Sequence, residues 1–150
     1  MNICVSRPIT GLGYDEVTNS YTHLRDVFLD FGYSHVYYAF TGRSHLKDEK
    51  DFAAEGYTHP LSSNHAITLG DRWMCKQGDV MYLRLLGAKT VSIGCMMELA
   101  WAFDNGKHVV ISMERDNVHR HAFVLECAHV VWETEEEALD YLRKLARGEV

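Results

Sequence analysis

Short apolar runs alternate along this chain with helical patterns, and that alternation leaves few ways to fold. Residues 2–6 form an apolar run that stops at Arg7-Pro8, where a residue without an N–H ends a strand. A turn from Pro8 to Gly13 follows. Asp15 offers an N-cap, and residues 17–32 read as an amphipathic helix, with Val17, Tyr21, Leu24, Phe28 and Phe31 at three- and four-residue steps and Gly32 as its stop. Residues 35–40 read as a second strand. Strand, helix and strand in that order make a βαβ unit, which requires a parallel pair and a right-handed crossover.

The pattern resumes further on. Residues 71–77 suggest a helix and Val80–Leu83 a buried strand. Ser92-Ile93-Gly94 leads into a helix over about 95–105. Residues 109–113 and 128–132 give two more strands. Thr134 and Glu137 have capping-box spacing, and Ala138, Tyr141, Leu142 and Leu145 stripe a last helix. The expectation is a single doubly wound α/β domain over residues 1–150, Rossmann- or flavodoxin-like, with about five parallel strands and helices on both faces. Residues 41–70 are polar and weakly periodic. A short helix over Lys47–Glu55 and a lid or binding loop are expected there.

Composition narrows the partners. A hydrophobic content of 47% in 150 residues supports a core without disulfides or metals. The net charge of −6 argues against a nucleic-acid partner, which calls for a basic surface. Cys4, Cys75, Cys95 and Cys127 are scattered and read as reduced thiols of a cytoplasmic protein. No secretory pattern opens the chain and no apolar run is long enough for a membrane span. No membrane, metal or cofactor is expected.

Ligands of such sheets sit outside the carboxyl ends of the strands. Ser92-Ile93-Gly94 can turn backbone N–H groups toward an anion there. Glu98 lies about one turn into the next helix, inside the apolar run Cys95–Phe103. A lone ionised carboxylate is costly to bury unless paired, so Glu98 is either a working group or a residue on the solvent face. Asp71 and Asp79 precede or begin the third strand and are further acidic candidates.

The segments Asp79–Leu83, Ser92-Ile93-Gly94-Cys95-Met96-Met97-Glu98-Leu99-Ala100-Trp101-Ala102 and Gly106–Ile111 resemble the nucleoside 2-deoxyribosyltransferase family, which includes 2′-deoxynucleoside 5′-monophosphate N-glycosidases. The family pattern is an acidic residue before an apolar run, then (S or D)-x-G-x-x-x-E-L-x-x-A, then G-K and an apolar run. Residues 3–11 are similar to its first strand and substrate turn, and the likeness omits about 43–66. The resemblance implies a glycosidic-bond enzyme acting on a nucleoside or its 5′-monophosphate, with Glu98 attacking C1′ and Asp71 managing the proton of the departing base. Water would resolve the glycosyl-Glu98 intermediate in a hydrolase, and another nucleobase in a transferase. Ser92, Gly94, Ile9, Thr10, Gly11 and Asp79 would bind substrate. Asn117 and Phe123, in a segment relatives deliver to a neighbour's site, would do so across the interface of a homo-oligomer. Ser92 stands where many nucleoside transferases carry Asp, which points to a phosphorylated substrate; Pro8 and Thr10 depart from the Ser and Arg of the nucleotide-cleaving members. The alternative is a non-catalytic nucleotide-binding or sensor domain on the same fold.

Other signals are weaker. His119-Arg120-His121 lacks a third metal ligand. Gly11-x-Gly13 lacks the third glycine of a dinucleotide fingerprint. Tyr37, Tyr38 and Phe40 suit strand core or base stacking. Glu133–Glu137 suits a helix N-terminus and nothing more.

Overall fold

The computed structural model describes residues 1–150. Five strands, β1 (Asn2–Ser6), β2 (His35–Tyr38), β3 (Val80–Arg84), β4 (His108–Ser112) and β5 (Val130–Trp132), form one parallel sheet in the order β2-β1-β3-β4-β5. The helices are α1 (Tyr14–Phe31), α2 (Asn64–Gln77), α3 (Ile93–Asp104), α4 (Ala122–Glu126) and α5 (Glu135–Arg147). This is a doubly wound, flavodoxin-like order, in which the strand order reverses between β1 and β3. No helix is long and apolar enough to cross a membrane.

Strand alternation divides the core. Ile3 and Val5 of β1, Val80 and Tyr82 of β3 and Val110 of β4 pack with Val17, Tyr21 and Phe28 of α1 and Leu142 of α5. Cys4, Met81, Leu83, Val109 and Ile111 face the other way, toward Met74 and Cys75 of α2 and Cys95, Leu99 and Ala102 of α3. The same alternation sends Ser6, the last residue of β1, toward α3. In α3 the buried face runs Cys95, Glu98, Leu99, Ala102. A carboxylate therefore sits in phase with the apolar stripe, and the helix must carry it inward.

Several boundaries differ from expectation. Helix α1 begins at Tyr14 with Gly13 as its N-cap, and Asp15 stands in its first turn instead. The Glu49 carbonyl accepts the Tyr14 N–H at 3.1 Å, so another segment satisfies this helix end. No helix covers Lys47–Glu55; a 3₁₀ turn at Ser44–Leu46 and another at Pro60–Ser62 flank irregular chain. Helix α2 starts seven residues before the expected 71, because Ser63 caps it by accepting the Ala66 N–H at 3.2 Å. Strand β2 ends at Tyr38, and Ala39 and Phe40 belong to the turn after it. The box at Thr134 holds, with its hydroxyl accepting the Glu137 N–H at 3.2 Å.

The 41–62 stretch is fastened over the carboxyl edge of the sheet. Leu46 and Phe52 enter the α1-side core. Gly11 N–H donates to Phe52 O at 2.9 Å, and Phe52 N–H to Leu12 O at 2.8 Å. Gly13 allows this clasp: a Cβ there would lie 2.7 Å from the Lys50 carbonyl oxygen.

Candidate active site

A cavity of about 640 Å³ opens at the carboxyl edge. Its walls come from four places: Arg7–Thr10 after β1, residues 39–57 after β2, Ile67–Asp71 of α2, and Thr90–Trp101 around the start of α3. Glu98 and Asp71 both line it, as do Ser92, Gly94, Ile9 and Thr10.

Glu98 is 8% exposed. The Ser6 hydroxyl donates to its Oε2, and the same oxygen of Ser6 lies 3.4 Å from Cys95 Sγ. Burial and then the neighbouring charge of Asp71 push the Glu98 carboxyl up to about 8; the Ser6 hydrogen bond and Arg43 oppose that rise. Asp71 projects from α2 and accepts Arg43 Nη2 at 2.8 Å, the two side chains being 15% and 10% exposed. Burial raises the Asp71 carboxyl and Arg43 pulls it back. The site thus holds two electrostatically coupled carboxyl groups with one guanidinium beside one of them. Two buried carboxyls that repel one another resist ionising together, so the pair can hold a single proton.

Ser92 caps α3, its Oγ accepting the Cys95 N–H at 3.4 Å. Its own N–H is taken by His119 Nε2 at 2.8 Å. The Ile93 and Gly94 N–H groups carry no partner within the chain and stand at the positive end of the helix, where an anion is favoured. Arg7 lines the cavity, donates to Ser20 Oγ and keeps a buried, unpartnered Nε.

The other sequence candidates lie elsewhere. Asp79 is corrected by its position: it precedes β3 at the amino edge of the sheet, where its Oδ2 accepts the Asn2 N–H at 2.8 Å. Gly11 does not line the cavity; its N–H donates to the carbonyl of Phe52, which does. Asn117 is buried and spent within its own chain: its Nδ2 donates to Leu85 O and to Glu114 Oε2. Phe123 is 78% exposed and borders a second groove on the far side of α3, with Val118 and Val124. His119 and His121 do not converge, since His121 Nδ1 accepts the Phe123 N–H.

Sequence reasoning missed Arg43 and Ser6. Ser6 was legible, because the parity of Cys4 and Ser6 puts both on the α3 side. Arg43 lies in the aperiodic segment, and nothing in its spacing marked it.

The fold and site together define a doubly wound α/β protein with paired carboxyls at its switch-point edge. Among solved structures, the chain is similar to the 2-deoxyribosyltransferase of the psychrotolerant bacterium Bacillus psychrosaccharolyticus, with a TM-score of 0.67 and 14% identity over 94% of this chain and 92% of that one. It is similar also to the CMP N-glycosidase BcmB of Clostridium botulinum, with a TM-score of 0.55 and 15% identity over 99% of each chain. Both names fall within the family that the sequence resembles, and at this identity the likeness is one of fold. No family model and no curated protein matches the chain.

Proposed function

We propose that this chain cleaves the N-glycosidic bond of a nucleoside or its 5′-monophosphate, with Glu98 as the nucleophile. The observation that carries the reading is the placement of Glu98, buried on the cavity wall, hydrogen-bonded by Ser6 and coupled to Asp71. The two solved relatives, a deoxyribosyltransferase and a CMP N-glycosidase, support it.

In the reactive form the pair holds one proton. Glu98 Oε attacks C1′ as the C1′–N bond breaks, and the bonding pair leaves with the base. Asp71 delivers the proton to the base and becomes the carboxylate that Arg43 stabilises. The ester on Glu98 is then opened at C1′ by water or by an incoming base, with Asp71 taking back a proton. The hydroxyl of Ser6 offsets charge on Glu98 when it is ionised.

Three features favour a 5′-phosphate: the free Ile93 and Gly94 N–H groups, the Ser92 hydroxyl, and Arg7 on the wall. The enzyme is a cytoplasmic homo-oligomer in this reading, and Phe123, exposed on its own chain, completes a neighbour's site. Asn117 is too fully engaged at home to share that role. The test is incubation with a panel of nucleosides and 5′-monophosphates, reading free base by chromatography. Release from monophosphates at higher kcat/KM is expected, and no base from any member of the panel would overturn the proposal. Adding a second base separates exchange from hydrolysis.

A further inference from the structure

His119 is 2% exposed, yet every polar atom of its ring is engaged. The Asn117 amide fixes how. Both Asn117 Nδ2 protons are used, on Leu85 O at 2.8 Å and on Glu114 Oε2 at 2.6 Å. Its Oδ1 must therefore accept, and it takes the His119 N–H and the His119 ring Nδ1–H, each at 3.0 Å. That leaves Nε2 with a lone pair, which accepts the Ser92 N–H at 2.8 Å. Glu114 anchors the far end, its Oε1 accepting the Gly87 N–H at 2.7 Å. Burial holds the His119 ring below the ordinary imidazole range, in keeping with this neutral tautomer.

The chain Glu114–Asn117–His119–Ser92 thus ties the loop after β4 to Ser92 on the cavity rim. A serine N-cap needs only its side chain to close the helix; the bond to its backbone N–H is additional, and it determines which donors face the cavity. We propose that His119 is a positioning residue: by taking the Ser92 N–H it orients the rim so that the Ser92 hydroxyl and the Ile93 and Gly94 N–H groups are the donors presented to substrate. This inference rests on the proposed function, since it assigns those donors to substrate binding.

The experiment compares the wild type with His119→Gln, whose amide oxygen can still accept from Ser92, and His119→Leu, which fills the space and accepts nothing. Steady-state base release from a deoxynucleoside 5′-monophosphate and amide hydrogen exchange at residues 92–94 are measured on all three proteins at matched folded fraction. His119→Leu is expected to raise KM about tenfold, with the loss falling on KM rather than kcat, and to speed Ser92 amide exchange about tenfold, one hydrogen bond's worth. His119→Gln should restore most of both. Equal KM in the Leu and Gln variants, or a loss that tracks melting temperature alone, would overturn the positioning role. If the wild type releases no base, the functional reading fails by itself. Exchange then decides the positioning claim: faster Ser92 exchange in the Leu than in the Gln variant supports it, and equal rates overturn it.

Discussion

Replacing Glu98 by Gln keeps the side-chain volume and the acceptor for Ser6 but removes the titration. The folded carboxyl, raised to about 8, lies above its ordinary value of 4.5. Between those values the native state keeps a proton that the unfolded chain has released, so wild-type stability falls as pH rises through the window. Each pH unit is worth about 1.4 kcal/mol, which sets a ceiling on the order of 5 kcal/mol. Asp71 shares the titration, and Ser6 and Arg43 relax around the charge, so about 2 kcal/mol is the expected difference. Relative to wild type, Glu98→Gln should therefore be near neutral at pH 5 and more stable by about 2 kcal/mol at pH 9, a rise in Tm of roughly 4–8 °C for a chain of this size. Urea and thermal unfolding of both proteins at several pH values measure it. A wild-type-to-variant difference that stays flat from pH 5 to 9 would show that Glu98 is not buried as described.

Other outcomes follow from the same structure. Arg43→Gln leaves Asp71 without its buried partner and should cost about 3 kcal/mol by urea unfolding at pH 7, with a smaller loss as pH falls and the carboxyl, already raised by burial, takes a proton; an unchanged midpoint would contradict the ion pair. Gly13→Ala sets a Cβ against the Lys50 carbonyl and should lower Tm while speeding amide exchange at Phe52; protection unchanged at Phe52 would refute the clasp. Mixing inactive Glu98→Ala with Phe123→Ala chains should regenerate activity if sites are shared, because one site of a mixed dimer holds both intact halves; no rescue despite proven subunit exchange removes the shared site.

The order of elements was legible because short strands and amphipathic helices differ in period, and the sheet inherits its parallel pairing from the crossovers. Glu98 was legible as a carboxylate inside an apolar run, but that run has no polar side to give the phase, and only the structure shows Glu98 buried with Cys95, Leu99 and Ala102. The 41–70 stretch was not legible. Residues 49–52 are held by backbone bonds to residues 11–14, which leave no periodic trace, and Gly70 and the polar start Asn64-His65 hid the first half of α2. Arg43 and the clasp belong to that stretch. Asp79 entered as a binding candidate through the resemblance, although its place before the third strand puts it at the amino edge, where it accepts the Asn2 N–H. Asn117 and His119 sit two residues apart in a loop, and only the fold shows them turned toward Leu85 and Ser92.

The central claim is that Glu98 attacks the anomeric carbon. Base release and binding of a deoxynucleoside 5′-monophosphate by wild type and by Glu98→Ala, the first by chromatography and the second by calorimetry, test it most directly. The account predicts a drop in kcat of at least about a thousandfold with affinity held within a few-fold. Near-normal turnover in the Glu98→Ala variant would contradict it.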